Sequence, residues 1–186
     1  MCPDDTSGLK ELLGLGFVFD RKDIAWNIPA VDQPQDDSEW ILKQSDQFSL
    51  AQLLEWDDDL RQFVPGTRGW RWGSDDFAAD LADSPPYDPA LYLVALSQSG
   101  DFAAMARTWR NPSGAKIGFV GAHPRYRSRG LGGTLLRHML AQLRGRGYDS
   151  AIANIDSANA ASVKMVEKFG GAQVATTWEL VWYGAQ

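Results

Sequence analysis

The stretch that concentrates chemistry runs Val120-Gly-Ala-His-Pro-Arg-Tyr-Arg-Ser-Arg-Gly-Leu-Gly-Gly-Thr-Leu-Leu. Gly130 and Gly132 stand where the chain must turn into a helix, preceded by Arg127, Ser128 and Arg129 and interleaved with Leu131 and Gly133. Glycine lets the backbone approach a ligand closely. The first turn of a helix offers unpaired N–H groups and the positive end of its dipole. Together these make an anion site that suits a pyrophosphate, and the flanking arginines can add charge-assisted contacts.

Other phosphate loops fit less well. A P-loop needs Gly-Lys-Ser/Thr at the helix start, which this chain lacks. A dinucleotide fingerprint needs Gly-x-Gly-x-x-Gly, and Gly130-Leu-Gly132-Gly133-Thr-Leu135 has no third glycine in register.

Such a loop needs a strand to deliver it and a helix to receive it. Lys116 to Ala122 reads as the strand, and the helix runs from about Gly130 to Arg146. Its apolar stripe is Leu131, Leu135, Leu136, Met139, Leu140 and Leu143, and Gly147 closes it. Upstream, Leu91 to Leu96 and Phe102 to Arg110 read as strands, the second joined to Lys116–Ala122 by the turn Asn111-Pro-Ser-Gly. Downstream come a strand at Ser150 to Ile155 and a helix at Asn159 to Phe169. That helix is capped by Asn159 or Ser157 and turns Val163, Val166 and Phe169 inward. A last strand spans Thr176 to Tyr183. The order β-β-β-α-β-α-β predicts an α+β fold: a mixed, mostly antiparallel sheet with flanking helices.

The first part of the chain is less periodic. Leu9 to Leu13 reads as a short helix, and Phe17–Phe19 and Ile24–Ile28 as short strands. Asp32 to Ser38 reads as a linker and Glu39 to Leu42 as a strand. A helix capped by Ser49 carries Leu50, Leu53, Leu54 and Leu60, and another spans 75–82. Residues 1–40 are therefore expected to form an N-terminal extension. Residues 41–186 would form the main domain, with its core at about 91–183. The run Leu12-Leu13-Gly-Leu-Gly16-Phe loosely echoes Val166-Glu-Lys-Phe-Gly-Gly171. Either chance or the remnant of a preceding tandem unit accounts for it.

The pattern Arg/Gln-x-x-Gly-x-Gly/Ala, met by Arg127, Gly130 and Gly132 with Pro124 upstream, resembles the coenzyme A loop of the GNAT N-acetyltransferases. Asn159-Ala-Ala-Ser-Val-Lys-Met-Val-Glu-Lys-Phe-Gly-Gly resembles the segment that follows in that family. The likeness runs from about Leu91 to Tyr183 and is strongest from Val120 to Gly171. It implies a sheet splayed at the coenzyme site, between the strand ending Val120-Gly121-Ala122 and the strand Ser150–Ile155. Acetyl-CoA would lie there on the backbone of Val120, Gly121 and Ala122 and of Arg127 to Gly133, with Asn159 against the pantetheine arm. It also implies acetyl transfer to a primary amine, of a small molecule or of a protein N-terminus or lysine. A non-catalytic acyl-CoA-binding module is the reading from another class. The glutamate and tyrosine that many members use for proton transfer fall at Asn154 and Val166, neither of which titrates. His123, at the end of the lining strand, is a candidate proton acceptor, but the favoured reading is a loop histidine that points to solvent or caps the turn.

Composition narrows the partners. With 24 acidic against 18 basic residues the formal net charge is −6, and one local basic loop in an acidic chain suits a small phosphorylated ligand better than nucleic acid. One cysteine and two histidines without ligand spacing give no expectation of a metal. There is no apolar run of spanning length and no leader-like start, so a cytoplasmic protein without a membrane segment is expected, and a homodimer is compatible with this. The acceptor side would be shaped by Trp40, Trp56, Trp70 and Trp72, the Asp36-Asp37, Asp57-Asp58-Asp59 and Asp75-Asp76 runs, Arg107, Trp109, Tyr87 and Asp88. Acidic walls with aromatics would favour a polycationic amine.

Overall fold

The computed structural model describes residues 6–34, 39–65, 67–83, 87–111 and 114–184. The linker residues 35–38, the turn residues 112–113 and the breaker segment 84–86 lie outside the described residues. Among the described residues five α-helices and seven strands follow in order. These are α1 (Thr6–Gly14), β1 (Val18–Pro29), β2 (Ile41–Gln44), α2 (Leu50–Arg61), α3 (Ser74–Asp83) and β3 (Tyr92–Leu96). Then come β4 (Phe102–Asn111), β5 (Gly114–Ala122), α4 (Leu131–Arg144), β6 (Ser150–Asp156), α5 (Ala160–Lys168) and β7 (Ala172–Val181).

The strands form one sheet in the order β2-β3-β4-β5-β6-β1-β7. Every pairing is antiparallel except β5 with β6. The mixed, mostly antiparallel sheet read from the sequence is the one observed. Residues 18–29, assigned by sequence to an extension, lie inside it: β1 is a single strand of 12 residues, zipped between β6 and β7. Ile24, Trp26 and Ile28 alternate into the core as a half-buried strand requires.

The two sheet faces carry separate cores, set by the alternation of each strand. Along β3, Leu93 and Ala95 turn to the face covered by α4, and Tyr92 and Val94 to the face covered by α2 and α3. The stripe Leu131, Leu135, Leu136, Met139, Leu140 and Leu143 of α4 is wholly buried, each side chain contributing about 2 kcal/mol of burial. On the other face, α2 starts from a full capping box between Ser49 and Gln52 and buries Leu53 and Leu60 beside Phe77 of α3.

That second core uses its acidic residues and tryptophans as structure. Asp57, fully buried, takes the Trp72 indole N–H at 2.8 Å and ion-pairs with Arg61. Asp58 accepts from the Trp72 backbone N–H at 2.9 Å. Trp56 stacks on Phe102, and Trp40 sits in the α4-side core, edge-on to Tyr126. These residues, expected on an acceptor wall, pack the fold.

Candidate active site

The parallel pairing of β5 with β6 covers only Ala115–Ile117 against Ala151–Ala153. Beyond it the strands part, and a wedge-shaped cavity of about 380 Å³ opens between them. A register shift between Arg107 and Thr108 of β4 places a bulge at Gly118, where the parting begins. Val120 of β5, Ala153 to Asp156 of β6 and Asn159, Ser162, Met165 and Val166 line the cavity. Of the sequence-predicted contacts, Val120 and Asn159 are therefore in its wall. Asn159 also caps α5, its side chain accepting from the Ser162 N–H at 3.2 Å.

The predicted anion loop lies past the open end of the wedge, where β5 runs out. His123 leads into a short turn, Pro124–Tyr126, and the chain then reaches Gly130, the N-cap of α4. Gly130 has φ +81°, a backbone that costs other residues about 1–2 kcal/mol. It lets the chain enter α4 without a side-chain cap, leaving the first-turn N–H groups of Leu131, Gly132 and Gly133 to other partners. A Cβ on Gly132 would stand 3.4 Å from the Met165 sulfur and 3.8 Å from Val120, in ordinary contact, so this glycine lies against the floor between loop and wedge. The basic groups are tied to the protein. Arg127 donates to the Ala122 carbonyl at 3.1 Å and stacks over Phe63, and Arg129 pairs with Glu39 and lies over Trp40. Ser128 also has a left-handed backbone, φ +62°.

Gly121 and Ala122 do not line the cavity. A Cβ on Gly121 would come within 2.6 Å of Phe119 and 3.2 Å of Leu60, so that glycine lets α2 close onto the sheet. His123 is outside the cavity wall as well: its Nδ1 accepts from the Arg125 N–H at 3.3 Å and caps the turn. Tyr87 is bonded to Ser45, and Asp88 holds Arg146 and Arg110, away from the wedge.

The titratable side chains that do line it are Arg21, Asp23, Lys116 and Asp156. Asn154 and Val166, the positions without proton chemistry, are both in the wall. Asp23 of β1 is the register partner of Asp156 of β6, and like charges directly opposite repel. Arg21 bonds Asp23 at 2.7 Å and approaches Glu179 at 3.4 Å. Burial works against the Arg21 charge, but the Asp23 hydrogen bond and the charges of Asp23, Glu179 and Asp156 outweigh it and raise its pKa. Asp156 also accepts from the Ala158 N–H at 2.8 Å. Arg21 and Asp23 escaped the sequence reading because nothing in it placed β1 beside β6. The polar run Asp20-Arg-Lys-Asp23, interrupting two apolar patches, was the available signal.

Among the described residues no trio of His, Cys, Asp or Glu is placed to hold a metal ion, and no helix is long and apolar enough to cross a membrane.

The sheet parts between two parallel strands, with a glycine loop and a helix N-terminus at the open end, which is the arrangement that the family resemblance implied. The acetyltransferase (GNAT) family model matches residues 33–171, and the chain belongs to that family. A mycothiol acetyltransferase from Thermobispora bispora is 34% identical over 120 residues, 60% of this chain and 40% of that protein. A GCN5-related N-acetyltransferase from Sphaerobacter thermophilus superimposes with TM-score 0.74 at 18% identity, over 96% of this chain and 56% of that one. The ribosomal-protein-S18-alanine N-acetyltransferase from Escherichia coli gives TM-score 0.55 at 21% identity, over 73% of this chain and 79% of that one. The chain thus spans about half the length of the first two relatives.

Proposed function

We propose that this chain transfers an acetyl group from acetyl-CoA to a primary amine of a small molecule carrying a further positive charge. The observation that carries the first half is the wedge itself. Where β5 leaves β6, its backbone groups lose their sheet partners. An extended pantetheine amide chain can take them up as a strand would, while the pyrophosphate rests on the loop at Arg127–Gly133. The neutral amine then attacks the thioester carbonyl, the C–N bond forms, the C–S bond breaks, and the sulfur leaves with the electron pair. The amine proton passes to solvent, and positioning supplies much of the rate. Support for a cationic acceptor comes from Asp23 and Asp156 in the cavity wall, with Glu179 nearby and Arg21 the counter-charge beside them. A carboxylate close to the reacting nitrogen would hold it protonated. The pair therefore serves a second ammonium.

Two measurements test this. Calorimetry should show acetyl-CoA binding that Gly130→Asp weakens, because that change adds both a strained residue and a like charge at the pyrophosphate site. Thiol release should then appear when acetyl-CoA is mixed with a panel of diamines, amino sugars and neutral amines. Acetyl-CoA affinity unchanged in Gly130→Asp would show that the coenzyme lies elsewhere. Binding without thiol release from any amine would favour the non-catalytic module.

A further inference from the structure

The wedge has a blind end, and the structure assigns a residue to it. Pairing between β5 and β6 persists at Ala115–Ile117 and Ala151–Ala153, and the anion loop lies at the opposite, open end. An acyl-CoA laid from that loop into the wedge brings its acyl group against the blind end. This step rests on the acyl-CoA reading above. Lys116, Ile117, Gly118 and Ala153 line that end, together with Trp109 of β4.

Trp109 is the register partner of Lys116, one strand over, yet its ring reaches across the bulge at Gly118. A Cβ on Gly118 would fall 1.2 Å from Trp109 Cζ3, 1.9 Å from Cη2 and 2.2 Å from Cε3. The six-membered edge of the indole thus occupies the volume that any other residue's side chain would take. The ring is also fixed from behind. The Arg107 guanidinium lies 4.6 Å from its centroid, and Arg107, only 2% exposed, is ion-paired to Asp80 of α3. A buried cation braced in this way resists displacement of the aromatic face stacked on it.

We propose that Trp109 determines acyl-chain length: the indole over Gly118 stops the blind end of the wedge and admits an acetyl group while excluding longer acyl groups. Each added methylene of the acyl chain would have to enter volume the braced ring already fills. Gly118 belongs to the same device, since only glycine leaves the ring its place.

The test is binding of CoA, acetyl-CoA, butyryl-CoA and octanoyl-CoA to the full chain, measured by calorimetry for the wild type, Trp109→Phe and Trp109→Ala. CoA itself should bind all three proteins equally. The wild type should prefer acetyl-CoA to butyryl-CoA by roughly tenfold or more, the discrimination expected of a pocket that rejects added methylenes. Trp109→Ala should abolish or invert that preference, and Trp109→Phe, which lacks the outer ring edge, should fall between. Thermal unfolding checks each variant, and Trp109→Phe carries the test if the alanine protein does not fold. Gly118→Ala should lower the melting temperature, and adding Trp109→Ala should restore it. An acetyl-to-butyryl ratio unchanged in both variants overturns the assignment, as does a wild type indifferent to chain length. Failure of the wild type to bind CoA at all would overturn the acyl-CoA reading itself.

Discussion

Asp23 and Asp156 stand opposite each other on neighbouring strands, and Arg21 is bonded to Asp23 and close to Glu179. At this corner Asp23, Asp156 and Glu179 outnumber Arg21, with Lys116 elsewhere in the wall, and an arriving cation would stabilise the excess carboxylate charge. Asp156→Asn keeps an oxygen for the Ala158 N–H and removes only the charge. We expect it to raise the KM for a cationic amine several-fold, on the order of 1 kcal/mol for a partly exposed pair, with acetyl-CoA affinity unchanged. Added salt should raise the same KM in the wild type, since the attraction is screened. Steady-state kinetics at two ionic strengths with spermidine and with a neutral amine checks both. Salt-independent turnover of the neutral amine at equal or better efficiency would remove the cationic acceptor from the reading.

The elements differ in how plainly the sequence announced them. The stretch from β3 to α5 was legible because β3 is a continuous apolar run, β5 and β6 alternate, and α4 carries an unbroken apolar stripe; Gly130 and Gly132 marked the strand-to-helix turn. Asn159 was legible as a cap. β1 was not, because Asp20-Arg-Lys-Asp23 reads as a loop between two apolar patches. In the fold those charges serve the cavity wall and the Asp20–Arg68 ion pair, so one strand looked like two. Trp40, Trp56 and Trp72 misled in the other direction: aromatics beside carboxylates suggested a binding wall, and Asp57 with Trp72 forms a structural hydrogen bond, whereas Trp109 does line the cavity. β3 also carries a chemical consequence. Tyr92 is 1% exposed, its hydroxyl donating to the Met105 sulfur at 3.7 Å. Burial pushes its pKa up, reinforced by the charge of Asp57 and opposed by those of Arg107 and Arg61. A tyrosine in the unfolded chain ionises near pH ~10, so below that pH its contribution to stability is intact. Above it the unfolded state sheds a proton that the folded state keeps, and stability falls. Denaturant midpoints measured across the alkaline range should decline, and Tyr92→Phe should flatten that decline. An equal slope in the variant would place the alkaline sensitivity elsewhere.

At the scale of the whole molecule, β1 joins the first described part of the chain to the last. It pairs with β6 from Asp23–Asp156 to Pro29–Ser150 and with β7 from Val18–Val181 to Asn27–Ala172. Removing residues 1–30 would leave β6 with an open edge and β7 with no partner in the sheet, and such edges pair with other chains. The truncated protein should be aggregation-prone and lose near-ultraviolet circular dichroism. A synthetic peptide of residues 17–30, supplied during refolding, should restore both solubility and acetyl-CoA binding. Native-like spectra without the peptide would show that the rest of the sheet holds by itself.

The same pairing sets an order of events during synthesis. β1 is translated before all its partners, yet Asp23 has nothing to pair with until Asp156 has been made, and Val18 waits for Val181. The antiparallel run of β3, β4 and β5 can assemble from near neighbours in the meantime, so the growing chain carries a finished half-sheet and one idle strand. Contacts between such distant residues slow folding, and an idle strand with Ile24, Trp26 and Ile28 uncovered is a target for wrong partners. The charges of Asp20, Arg21, Lys22 and Asp23 interrupt that apolar alternation. Arg21 and Asp23 line the cavity in the finished fold, and before that all four charges would keep the waiting strand in solution, as gatekeeper residues do beside unavoidable apolar strands.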